Sequence, residues 1–153
     1  MKVEPNHIGR VQYEDRFKQP LLFDGMNIGK MYPTDIDAIT EYHDMLYMIM
    51  EVKREGVPLN RGQTTALIRL VNAVQETGRT AVLFICRHDI ADPSQPIFLK
   101  DTIITEAYFK GDWYDLNPRT ALYAWNYAMD WARRKEDKER YKSGTEFSSY
   151  PFS

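Results

Sequence analysis

Three acidic side chains and one lysine stand at the polar ends of two apolar runs in this sequence of 153 residues: Asp35, Asp37, Glu51 and Lys53. Side chains alternate across a β-strand, so the two aspartates share one face of the first run, and Glu51 and Lys53 share one face of the second. Buried charges must be paired or coordinate a metal. Two carboxylates with water and substrate phosphate are the ligands that Mg²⁺ prefers. The pattern therefore predicts a Mg²⁺ or Mn²⁺ site suited to phosphodiester hydrolysis, with the lysine orienting or helping to deprotonate the attacking water.

A salt bridge across a half-exposed hairpin is the alternative interpretation of the same four residues, and it would contribute about 0.2–1 kcal/mol. The second run, residues 45–52 (MLYMIMEV), argues against it because it is almost continuously apolar. Such a run is typical of a central strand that is covered on both faces.

The surrounding sequence predicts the elements that must hold these side chains. Residues 31–53 have the pattern of a β-hairpin that turns at His43 and Asp44. The segment 63–78 predicts a helix, with Gly78 positioned to end it, and the apolar run 80–86 (TAVLFIC) predicts the next buried strand. The order strand, helix, strand implies a right-handed crossover between two parallel strands of one sheet.

The rest of the chain predicts more strands and a long helix. Strands are expected in residues 96–100 (PIFLK) and in residues 102–116, the latter folded back at a turn formed by Lys110, Gly111 and Asp112. A helix is expected from Arg119 to about Tyr141, with a charged and solvated second half. The predicted domain organisation is an irregular arm, one domain and a flexible tail, in residues 1–30, 31–142 and 143–153.

The predicted C-terminal helix carries aromatic side chains at four-residue steps: Tyr123, Tyr127 and Trp131. Packing into the core is the simpler interpretation. A homodimer or protein-partner interface is the alternative, because Trp and Tyr are enriched at such surfaces. Stacking against the bases of a single strand is a third.

Composition limits the class of protein. The formal net charge is -2, from 20 basic and 22 acidic residues, so no overall cationic field would attract nucleic acid without discrimination. A nuclease is still compatible with this charge, because metal-binding carboxylates add negative charge that the cation cancels. The single cysteine, Cys86, excludes a disulfide or a CxxC zinc site within the chain. The polar first residues and the lack of a long apolar run favour a cytoplasmic protein without a membrane partner.

The segment PTDIDAI, followed by EVK and then by Gly62 and Gln63, resembles the signature of the PD-(D/E)XK nuclease superfamily. It looks closest to small phage-encoded members, and the resemblance covers about residues 31–90. It implies an α/β fold in which a central mixed β-sheet is flanked by helices, with an αβββαβ core, here followed by the long C-terminal helix. It also implies a Mg²⁺- or Mn²⁺-dependent deoxyribonuclease, acting in the host cytoplasm if the chain is phage-encoded.

The resemblance assigns a role to each site residue. Asp37 and Glu51 would bind the metal, with Asp35 as a second candidate for the first ligand. Lys53 would position the attacking water, and Gln63 would support the lysine or a phosphate. The family's preceding helix often supplies a further glutamate, for which Glu14 is the candidate here.

Structural roles are the simpler interpretation of His43, Cys86 and His88. His88 could lie near the site at the edge of the sheet, but a lone histidine is more often a structural hydrogen-bonding residue. Cys86 is expected in the core, and His43 in a turn.

The rival function is a non-catalytic binding protein on a nuclease-like fold, such as a phage inhibitor of a host defence complex. The missing cationic field and the aromatic helix favour this rival.

Overall fold

Residues 20–142 are described by the structure, a computed structural model. The chain divides into two units, Met1–Thr34 and Asp35–Ser153. Within the first unit, residues 20–34 contain one isolated antiparallel bridge, between Ile28 and Met31. Glu14 and the predicted tail lie outside the described residues, and the predicted domain boundaries stay a prediction.

A five-stranded mixed sheet forms the centre of the second unit, with its strands in chain order. The first two strands form the predicted hairpin, which turns through His43 and Asp44, both in the left-handed region of backbone conformation. The second and third strands are parallel, as the crossover predicts, and the remaining pairs are antiparallel. The strands are β1 (Ala38–Tyr42), β2 (Leu46–Arg54), β3 (Thr80–His88), β4 (Ile103–Phe109) and β5 (Asp112–Thr120).

Two helices cover opposite faces of the sheet, α1 (Arg61–Glu76) and α2 (Ala121–Lys142). The alternation of side chains in β2 and β3 supplies both faces with apolar groups. On the α1 side the core contains Ile49, Leu67, Val71, Leu83 and Ile85. On the α2 side it contains Met48, Met50, Cys86, Ile104 and Ala132.

The α/β class, the central mixed sheet and the long C-terminal helix are confirmed. Among residues 20–142 the elements follow the order β-β-α-β-β-β-α. This order contains a hairpin, a helix and a parallel strand, but two strands precede α1 here, whereas three do in the αβββαβ core that the resemblance implies. No helix in this part of the chain combines the length and the apolar character needed to cross a bilayer.

Two details of the predicted strands are wrong. Residues 96–100 contain no strand. Leu99–Asp101 instead form a short 3₁₀ turn, in which the Asp101 N–H donates to the Phe98 carbonyl and the Thr102 N–H donates to the Leu99 carbonyl. The first strand begins at Ala38, so Asp35 and Asp37 precede it rather than lie within it. The Asp37 carboxylate accepts a hydrogen bond from the Val52 N–H. In a longer β1, a backbone carbonyl would accept this hydrogen bond instead.

Candidate active site

The side chains of Glu51 and Lys53 leave β2 on the face that α1 covers, because they continue the alternation of Tyr47 and Ile49. Glu51 is 1% exposed, and Lys53 is partly buried beside it. The Lys53 Nζ atom lies 2.9 Å from Oε1 of Glu51. Both partners of this ion pair belong to β2, and the carboxylate is buried. The pair therefore differs from the alternative interpretation, a salt bridge across a half-exposed hairpin.

Gln63 connects the charged side chains from the first turn of α1. Its Oε1 accepts a hydrogen bond from Lys53 Nζ at 3.2 Å, and its Nε2 donates to Oε2 of Glu51 at 3.2 Å. The same amide nitrogen lies 3.3 Å from Oδ1 of Asp35 and 3.4 Å from its carbonyl oxygen. Gln63 therefore contacts the predicted lysine and two of the three predicted carboxylates.

Asp37 reaches the cluster from the residue immediately before β1. Ala38 is the register partner of Met50, which places Asp37 across from Glu51. Its Oδ2 accepts the Val52 N–H at 2.7 Å, and its charge and a side-chain hydrogen bond both act on the Glu51 carboxyl. The structure thus brings together all five predicted site residues, which we call the carboxylate cluster: Asp35, Asp37, Glu51, Lys53 and Gln63.

Asn60 is a site residue that the sequence interpretation missed. It is the N-cap of α1, and its Oδ1 accepts the Gln63 backbone N–H at 3.1 Å. An Asn followed three residues later by Gln is the signature of a capping box, so the signal was available. Here the Gln63 side chain contacts the carboxylate cluster, and the N-cap fixes the backbone from which it extends.

The electrostatics of the cluster centre on Glu51. Burial raises the pKa of the Glu51 carboxyl, and the Asp37 charge raises it further, while Lys53 opposes both effects. One oxygen, Oε1, is buried and makes no hydrogen bond of acceptable geometry with the described residues. The Lys53 ammonium group faces that oxygen, with its Nζ atom 2.9 Å away.

This donor set fits a hard divalent cation. Residues 20–142 contain no group of three or more His, Cys, Asp and Glu side chains arranged to hold a metal. Mg²⁺, however, is often bound by only one or two carboxylates and completes its shell with water and phosphate oxygens. Asp37 and Glu51 are such a pair, and Lys53, whose Nζ atom lies 2.9 Å from Oε1 of Glu51, supplies one positive charge against their two negative charges.

Three other candidates lie outside the cluster. His88 Nδ1 accepts the Ile90 N–H at 3.1 Å, which agrees with a structural role. It lines a separate cavity of about 670 Å³ together with Arg87. Cys86 is fully buried in the core as predicted, and burial raises the pKa of its thiol to about 11. His43 lies in its predicted turn and contacts Glu136 of α2.

Comparisons with protein-family models, with curated proteins and with solved structures gave no match for this chain.

Proposed function

We propose that this protein is a Mg²⁺- or Mn²⁺-dependent deoxyribonuclease of the PD-(D/E)XK type that acts in the cytoplasm. One observation carries the proposal: the fully buried carboxylate of Glu51 lies beside a second carboxylate, Asp37, and a single lysine, so that two negative charges face one cation. Burying such a group is costly unless a cation or a proton compensates it. Asp37 and Glu51 are the proposed ligands, and Asp35 is an outer carboxylate held by Gln63.

The side chains around the two ligands have separate tasks. A bound Mg²⁺ would lower the pKa of a coordinated water and neutralise charge on the scissile phosphate. Lys53 has three N–H donors, and its contacts with Glu51 and Gln63 leave capacity for a water or a phosphate oxygen. Gln63 fixes the ammonium group and Glu51 relative to each other, since its amide contacts both.

The position of α1 supports an anionic substrate. Gln63 is in the first turn of α1, so the amino end of this helix adjoins the carboxylate cluster. The helix dipole and the N–H groups of the first turn favour anions such as phosphate. They would act on a DNA phosphate that approaches the cluster from outside.

Nuclease activity is tested with supercoiled and linear DNA in Mg²⁺ or Mn²⁺. We expect Glu51→Gln to reduce cutting to background, because it removes the charge but keeps the shape, and Lys53→Met to reduce the rate by roughly 100-fold or more. Glu76→Gln, an exposed position at the end of α1, is the matched control and should cut like the wild type. Equal cutting by Glu51→Gln and wild type would show that a contaminant is responsible.

A non-catalytic binding protein on the same fold is the second candidate function. The lack of a three-residue metal group within residues 20–142 favours it. Exposed aromatic side chains of α2 would then contact a second copy or a protein partner. Titration calorimetry with MnCl₂ separates the candidates: heat that Asp37→Asn and Glu51→Gln abolish supports the nuclease, whereas no binding by the wild type supports the rival.

A further inference from the structure

An open groove lies between α2 and the last two strands, on the face of the sheet opposite the carboxylate cluster. Its volume is about 640 Å³, within the range of sites for drug-sized ligands. We call it the aromatic groove and define it by six of its lining residues: Phe109, Tyr114, Leu116, Tyr123, Tyr127 and Trp131. The predicted core packing of the three α2 aromatics is wrong, because alanines such as Ala121 and Ala132 fill the core while the aromatic rings remain exposed.

Three cations contact aromatic rings of the groove; Lys110 and Arg119 line it, and Lys135 contacts it through Trp131. Lys110 lies over the Phe109 ring at 5.2 Å, and Arg119 over the Tyr123 ring at 5.4 Å. Lys135 lies over the Trp131 ring at 5.3 Å. Each distance is within the range of a cation–π contact.

These cations are not neutralised by acids. Within residues 20–142, none of the three forms an ion pair with a carboxylate. The described lining of the groove also contains no acidic side chain. Glu136 directly follows Lys135 on α2, and Asp112 is the register partner of Phe109. The described lining of the groove is therefore mainly apolar and aromatic, with Lys110 and Arg119 as its charged side chains.

This combination matches the surface that binds single-stranded nucleic acid. Such sites combine exposed aromatic rings, on which successive bases stack, with a cationic groove for the backbone. Tyr123, Tyr127 and Trp131 are four residues apart, which corresponds to about 6 Å along the helix. Neighbouring bases of an extended strand can bridge that interval.

We propose that the aromatic groove binds single-stranded DNA, with bases stacked on Tyr127 and Trp131 and phosphates held by Lys110, Arg119 and Lys135. An acidic peptide would match the charge, but it would leave the evenly spaced ring faces without stacking partners. The groove and the carboxylate cluster lie on opposite faces of the sheet, so this binding does not depend on the proposed hydrolysis.

Fluorescence polarisation with labelled oligo(dT) of about 20 nucleotides tests the proposal in EDTA, where no cutting occurs. Tyr127 is 67% exposed, so Tyr127→Ala should fold normally and weaken binding by about five- to 100-fold. Tyr141→Ala is the matched control, because Tyr141 is 79% exposed on the same helix but does not line the groove. It should bind like the wild type.

Charge provides a second measurement. Replacing Lys110, Arg119 and Lys135 together by Gln should reduce the slope of log affinity against log salt by about two. The proposal is overturned if oligo(dT) does not bind, if Tyr127→Ala and Tyr141→Ala bind equally, or if only Lys53→Gln weakens binding. It is also overturned if sedimentation shows a wild-type dimer that Tyr127→Ala dissociates while oligo(dT) has no effect on the wild type.

Discussion

Glu51 is the residue on which the proposed chemistry depends. Its carboxyl is buried on β2, Asp37 adds a negative charge from just before β1, and Lys53 contacts it as a cation. Burial and the Asp37 charge both raise the Glu51 pKa, whereas the lysine lowers it. The net upward shift means that the ionised form is disfavoured in the folded, metal-free protein, and either a proton or a divalent cation relieves it.

The raised pKa predicts a pH dependence of stability. A raised carboxyl pKa contributes stability that is complete below the ordinary value of 4.5 and is lost as pH rises through the folded-state pKa. Relative to that of the wild type, the free energy of unfolding of Glu51→Gln should therefore increase as pH rises from 4.5 through the folded-state pKa of Glu51. Urea titrations in EDTA at several pH values measure this difference. The exposed control Glu76→Gln should show no such trend, and a trend of opposite sign would contradict the assigned shift.

Metal binding predicts a rise in stability that depends on the two proposed ligands. MnCl₂ at 100 times its dissociation constant should stabilise the wild type by about 2.7 kcal/mol at neutral pH. Asp37→Asn and Glu51→Gln should lose this effect. Asp35→Asn should retain most of it, because Asp35 contacts the cluster through Gln63. Thermal denaturation with and without MnCl₂ is the measurement, and loss in Asp35→Asn with retention in Asp37→Asn would reverse the ligand assignment.

At the scale of elements, the start of α1 determines where Gln63 lies. The Asn60 side chain caps the helix by accepting the Gln63 N–H, and no acidic side chain in the first turn assists it. We expect Asn60→Ala to lower the free energy of unfolding by about 1 kcal/mol and to reduce nuclease activity as well, because Gln63 loses its fixed backbone. Asn60→Asp keeps a capping oxygen and should preserve stability. Urea denaturation and DNA cutting by both variants test this prediction.

Local patterns in the sequence predicted the elements that hold the site. The turn at His43 and Asp44, the helix of α1 and the parallel β2 and β3 strands all follow from residue types and periodicity. The pattern failed at residues 96–100, where an apolar stretch after a proline forms a loop and a 3₁₀ turn. Short apolar runs do not distinguish strands from covered loops, since tertiary contacts decide between them.

The cluster itself could be predicted only in part. Alternation along β2 placed Glu51 and Lys53 on one face, which the structure confirms. The central position of Gln63 could not be derived from spacing, because it depends on how α1 packs over the sheet and on the side-chain conformation. The exposure of the aromatic rings on α2 could not be predicted either, since four-residue steps alone do not indicate which face of the helix is buried.

At the scale of the whole molecule, one sheet supports both candidate surfaces. The carboxylate cluster lies on the α1 face, the aromatic groove on the α2 face, and β3 contributes core residues to both sides. Any large loss of packing in β3 should therefore disturb both surfaces together.

Leu83 on β3 tests this dependence. Leu83 is fully buried, and Leu83→Ala should lower the free energy of unfolding by about 2–5 kcal/mol because it removes packing and leaves a cavity. Leu70→Ala, at an exposed position on α1, should change it by no more than about 0.5 kcal/mol. Equal effects of the two substitutions in urea denaturation would contradict the described core.

The hydrogen bond between the Val52 N–H and the Asp37 carboxylate makes one backbone proton a reporter of the cluster. A cation that draws electron density from Asp37 weakens that hydrogen bond, so the Val52 amide resonance should move upfield in a ¹H–¹⁵N spectrum as Mg²⁺ is added. Amides at the distant β4–β5 turn should keep their resonance positions. Magnesium occupancy could thus be followed at a single backbone position without DNA and without turnover.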